Sequence, residues 1–111
     1  MAIQSVAIAT TNTTIFTATG NKMIATMIFC NTATPTGSNP DPNTTYLTIY
    51  LVANGSGGAS TTNQIVNALM IPAGETVFFD TERIVLQSGD TIVAKSASPA
   101  VISCTISTVD I

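Results

Sequence analysis

The segment Ile71–Lys95, IPAGETVFFDTERIVLQSGDTIVAK, constrains the fold more than any other part of the chain. It carries three short β-type runs set off by two turn clusters, Pro72-Ala73-Gly74 and Gln87-Ser88-Gly89-Asp90. Proline presets one backbone angle and glycine admits the positive φ that other residues avoid, so each cluster reverses the chain at little cost. Runs this short between reversals this tight leave no room for helices, and an antiparallel meander follows.

Composition agrees. Charged residues make up 8% of the 111, against roughly 25% in an average soluble domain. Threonine, serine and asparagine fill the polar remainder, and the β-branched threonine favours a pleated, half-buried surface. With 45% hydrophobic residues the chain has neither the high charge nor the low hydrophobicity of disorder. Residues 1–111 are read as one domain with one core. The net charge is −3, and the only cations, Lys22, Arg83 and Lys95, are scattered. Binding a phosphate backbone or an anionic membrane needs clustered cations, so neither nucleic acid nor membrane is expected as a partner. No signal-like segment or apolar run of about 20 residues is present, which predicts synthesis in a cytosol. In that compartment Cys30 and Cys104 are expected as free thiols; a disulfide between the third and last strands is the alternative. With no histidine and no third cysteine they cannot form a structural zinc site.

About eight strand candidates emerge along the chain. Ser5–Ala9 and Thr14–Thr19 come first, then Lys22–Asn31 after a Gly20-Asn21 turn. The proline-bearing stretch Thr32–Asn43 is a long loop. Thr45–Ala53 alternates strictly, with Leu47, Ile49 and Leu51 on one face and Tyr46, Thr48 and Tyr50 on the other. A glycine-rich loop, Asn54–Ser60, leads to Asn63–Ile71, whose stretch QIVNALM fits a short helix but is too short to favour one between strands. Glu75–Asp80 and Arg83–Gln87 flank a polar bend at Asp80-Thr81-Glu82, and Thr91–Ser98 and Val101–Ile111 complete the set. In Lys22–Asn31, strict alternation puts Met23, Ala25, Met27 and Phe29 on one face and Ile24, Thr26, Ile28 and Cys30 on the other. Both faces are largely apolar, which predicts a central strand with a second layer or a neighbouring subunit over its outer side. In the last strand Ile102, Cys104 and Ile106 alternate with Ser103, Thr105 and Ser107, core on one side and solvent on the other. The expected fold is all-β: a single antiparallel β-sandwich with jelly-roll or immunoglobulin-like connections.

The residues offer little chemistry. Without histidine there is no Ser-His-Asp or Cys-His arrangement and no shuttle with a pKa near neutrality. Glu75, Asp80 and Glu82 could supply a carboxylate pair, but a solvated bend explains them better. The loop Asn54-Gly55-Ser56-Gly57-Gly58 lacks the Lys-Ser/Thr of a phosphate loop. Asn39, Asp41 and Asn43 alternate as calcium ligands do, yet Pro40 and Pro42 intervene and only one is charged. Tyr46 and Tyr50 could form a small platform for a sugar, though a packing contact is the plainer reading. No catalytic, cofactor or metal residues are assigned, and no enzyme is expected.

The order of these segments carries a resemblance. A strand ending in Cys30-Asn31-Thr32 is followed by TTYLTIYLVANG (Thr44–Gly55), then by IPAGETVFFDTERIVLQSGDTIVAKSAS (Ile71–Ser98), and then by a closing alternating strand. Over about residues 13–111 this layout resembles the small β-sandwich structural proteins of tailed bacteriophages. The resemblance implies a non-enzymatic virion protein, foremost a capsid decoration or cement subunit. A tail, baseplate or fibre module touching the host surface through Thr32–Asn43 and Asn54–Thr62 is the alternative. The partners implied are other copies, in a trimer foremost or an array, and the major capsid or tail proteins. A surface of neutral polar groups supports repeated assembly independently, because such groups cost less to bury than ions.

Overall fold

The computed structural model describes residues 2–80 and 83–111. Within them every regular element is a strand: β1 (Ala2–Ile8), β2 (Thr13–Thr17), β3 (Lys22–Asn31), β4 (Thr45–Val52), β5 (Gln64–Ile71), β6 (Thr76–Phe79), β7 (Ile84–Leu86), β8 (Thr91–Ser96) and β9 (Ile102–Asp110). The first strand starts three residues earlier than its turn signals predict. The ambiguous QIVNALM segment is strand. Of the expected Asp80-Thr81-Glu82 bend, Thr81 and Glu82 lie outside the described residues.

All pairings are antiparallel and form two sheets. One runs β1-β9-β3 and continues with β6 and β7, which share the far edge of β3; the other runs β2-β8-β4-β5. The pairings nest: β1 with β9, β2 with β8, β3 with β6 and β7, β4 with β5. The chain is thus one long hairpin, doubled at the loop between β4 and β5, and wrapped so that β9 also meets β3 and β8 also meets β4. That order is a jelly roll. An immunoglobulin-like arrangement, built on neighbouring hairpins, is excluded. The interrupted β6–β7 pair fills one strand position, so the nine strands, one for each run named from the sequence, occupy eight positions.

The core lies between the sheets. Ile15, Met27, Phe29, Leu47, Ile49, Ile71, Ile92 and Ile106 are fully buried there, and Phe29 meets Phe79 edge to face at 5.7 Å. Asn31 is buried and anchors the long loop. Its Nδ2 donates to the carbonyls of Asn43 (2.8 Å) and Ile71 (3.0 Å), and its Oδ1 accepts from the Ala33 amide (3.0 Å).

One expectation about β3 is overturned. Ile24 pairs with Thr108 but Thr26 pairs with Ser107, so Ala25 is an extra residue, a β-bulge. A bulge shifts the alternation by one. Ile24 therefore turns inward and is only 2% exposed, on the same side as Met27, Phe29 and Asn31. Met23, Thr26, Ile28 and Cys30 share the outer side.

Candidate interaction face

The two sheets differ in what covers their outer surfaces. On the sheet β2-β8-β4-β5, Tyr50, Val52 and Val93 form a second buried cluster, closed by Ala59 from the loop after β4. That loop is held down by the Leu51 amide donating to Asn63 O (2.9 Å), the Ser60 amide to Asn63 Oδ1 (3.0 Å) and Asn63 Nδ2 to Gly58 O (2.9 Å). The two tyrosines consequently do not form a platform: Tyr46 is 44% exposed while Tyr50, at 6%, lies beneath the loop. Alternation placed them on one face correctly, but the loop's fold-back is a tertiary contact with no local signal.

The outer surface of the other sheet has no such cover among the described residues. Register places Ser5, Thr105, Ile28 and Phe78 in one row across β1, β9, β3 and β6. A second row holds Ala7, Ser103, Cys30 and Thr76, a third Ile3, Ser107 and Thr26, and a fourth Val109, Met23 and Val85. No strand position on this face is charged. Ile3 is 73% exposed, Phe78 59% and Val85 56%, with Ile28, Met23 and Val109 half-buried between them. One pair of hydroxyls bonds within the sheet, Ser5 Oγ with Thr105 Oγ1 at 3.2 Å. The result is a neutral surface whose apolar side chains neighbour one another at Ile28–Phe78 and Val109–Met23–Val85, with no ion to desolvate. Sequence reasoning found Ile28 and Cys30 here. It missed Ile3, Phe78 and Val85, since nothing local says that β1, β6 and β7 share a sheet with β3.

Several charged and polar groups elsewhere have structural partners, although the buried Ser96 Oγ has none. Both oxygens of Asp41 accept backbone amides, Oδ1 from Asn43 and Oδ2 from Thr36, each at 2.9 Å. Asn43 Nδ2 donates to Thr34 O (3.2 Å), so these residues staple the long loop. Asp90 ties two turns together, Oδ1 accepting from the Asn54 amide and Oδ2 from the Gln87 amide, each at 2.9 Å. These bonds hold both carboxyls below the usual range, the Asn43 amide acting most on Asp41 and the Asn54 amide most on Asp90. Lys22 pairs with Asp110 across the β3–β9 ladder. No group of three or more His, Cys, Asp or Glu able to hold a metal occurs among the described residues. Glu82, one of the acids considered for a carboxylate pair, lies outside them.

Both cysteines are free thiols. Cys104 pairs with Phe29 and points into the core, while Cys30 pairs with Ser103 and points out. Neighbouring strands thus direct the two side chains to opposite faces, which prevents a bridge. Burial pushes the Cys104 thiol up to about 12.

A shallow groove of about 360 Å³ opens between the ends of β4 and β7. Leu51, Val52, Ile84 and Leu86 contribute apolar walls, and its carboxylate, Asp90, is already committed to backbone amides. Comparison of the chain with protein-family models, curated proteins and solved structures found no match.

Proposed function

We propose that this chain is a non-enzymatic structural subunit of a tailed-phage particle, a capsid decoration or cement protein. It docks the outer face of the β1-β9-β3-β6/β7 sheet on the coat and associates with further copies of itself. The observation that carries this reading is the contrast between the two outer faces. One is covered over Tyr50, Val52 and Val93 by the protein's own loop and carries Lys95 beside its exposed Tyr46 and Met70; the other, among the described residues, is uncharged and has no loop over it. Burying an exposed Phe or Ile side chain contributes roughly 1.5–3 kcal/mol. Ile3, Phe78 and Val85 stand on one sheet face where no ion has to be desolvated. The sequence resemblance to phage β-sandwich proteins supplies the particle, and the neutral face supplies the means of docking.

The test has two parts. Antibody raised against the chain should decorate capsomers of purified particles in electron micrographs. Labelling confined to the tail end would replace this reading with a tail, baseplate or fibre role, and unlabelled particles would overturn both. In the second part, Ile28→Lys and Phe78→Lys should abolish binding to capsids stripped of the protein while the β-type circular dichroism persists.

A further inference from the structure

Four strand edges border the two sheets, and three are blunted. Strand β5 carries two extra residues, its register slipping between Leu47 and Ile49 and again between Ile49 and Tyr50 of β4, and its Ala68 has a positive φ of 52°. Strand β2 has five residues and a bulge at Ile15, whose carbonyl accepts a bond from Gln4 Nε2 (2.8 Å). The last edge is broken between Phe79 and Ile84, with Asp80 and Arg83 at the break. Bulges, breaks and charges of this kind keep open edges from pairing with other chains.

Strand β1 has none of them. Its seven residues, AIQSVAI, pair with β9 in unbroken register from Ala2–Thr108 to Ile8–Ile102, with no charge and no proline. In an antiparallel ladder alternate residues aim their amides and carbonyls away from the partner strand. Among the described residues, no backbone group of β1 bonds any backbone outside its ladder with β9. The Gln4–Ile15 bond holds the strand in place from its inner side, so the free edge is presented rather than frayed.

We propose that this edge pairs with the same edge of a second copy, antiparallel about a two-fold axis through Ser5. Antiparallel pairing of identical strands requires a segment compatible with its own reverse, and β1 is close to one: Ala-Ile-Gln on one side of Ser5, Val-Ala-Ile on the other. Ile3 then stands against Ala7 of the second copy, a large residue beside a small one, Gln4 stands against Val6, and Ser5 meets Ser5. No like charges face each other in this register. The two sheets join into one, and their neutral outer faces become a single continuous surface. The contact differs from the docking face of the proposed function and does not depend on it. It is two-fold, unlike the trimer expected from sequence.

Sedimentation at micromolar concentration should give twice the chain mass of 11.4 kDa. Ser5→Lys and Ser5→Glu, at an exposed position, should each be monomeric, and an equal mixture of the two should regain the dimer, because the opposite charges then meet at the axis. Phe78→Lys, at the far edge of the outer face, should remain dimeric even though it loses capsid binding. Hydrogen exchange at the free-edge amides of β1 in the unaltered protein should slow as concentration rises. A monomeric wild type overturns the proposal, as do a trimer untouched by Ser5→Lys, a mixture that stays monomeric, association broken by Phe78→Lys alone, or β1 exchange indifferent to concentration.

Discussion

Gly89 and Asp90 work as a pair in the turn that precedes β8. Gly89 has a φ of +91°, and a Cβ placed on it would lie 2.5 Å from Asn54 Nδ2 and 3.1 Å from Asn54 Cβ. The Asn54 side-chain amide can rotate away, but Asp90 Oδ1 holds the Asn54 backbone amide and so keeps its Cβ in place. Gly57 has a similar φ of +93° with open space around it. Gly57→Ala should therefore cost only the conformational strain, about 1 kcal/mol. Gly89→Ala should add an overpacking cost of about 1–3 kcal/mol, read from urea denaturation midpoints. The acids give a second expectation. Asp41 and Asp90 are lowered by backbone amides and Asp110 by Lys22, from an ordinary value of 3.8. A depressed folded pKa means that the unfolded chain takes up the proton first. The stabilisation is thus complete above 3.8 and disappears as pH falls through the lower folded values. Thermal midpoints should be flat above about pH 5 and drop below about pH 4, and Asp90→Asn should have a shallower drop.

At the scale of elements, the turns were legible and the faces only partly so. Pro72-Ala73-Gly74 and Gln87–Asp90 act through their own backbone angles, so their positions read directly from residue type. The bulge at Ala25 has no such signature: alanine has no turn chemistry, and the extra residue exists because β9 pairs on both sides of it. Alternation therefore assigned Ile24 to the wrong face of β3 while placing Ile28 correctly. The two isoleucines now provide the check. Ile24→Ala should cost about 2–5 kcal/mol as a core truncation, and Ile28→Ala no more than about 1 kcal/mol. Equal costs in denaturant titration would mean that the strand has no bulge.

For the whole molecule, a sandwich of short antiparallel strands followed from length, turn spacing and threonine content. The choice of jelly roll did not, because strand order is set by which strands meet across the sheets, and each strand by itself fits either arrangement. The candidate face was hidden for the same reason: it draws on four stretches of sequence that only the nested pairing brings together. Its neutrality has a measurable consequence. Exposed ionic contacts weaken as the Debye length shrinks with salt. Docking by this face, and the proposed pairing of β1 edges, which also carry no charge, should change little between about 0.05 and 0.5 M sodium chloride. A steep loss over that range in sedimentation would point to an ionic interface instead.

The nesting of the pairs also decides where the chain tolerates added length. Other connections, such as those from β1 to β2 and from β7 to β8, span the gap between sheets and must keep a set reach. The loop between β4 and β5 joins neighbours in one sheet at the tip of the doubled hairpin. At that tip Gly57 and Gly58 have nothing within 4 Å of an added Cβ. A foreign peptide grafted between these two glycines would leave every ladder in register, making the protein a ready scaffold for displaying an epitope.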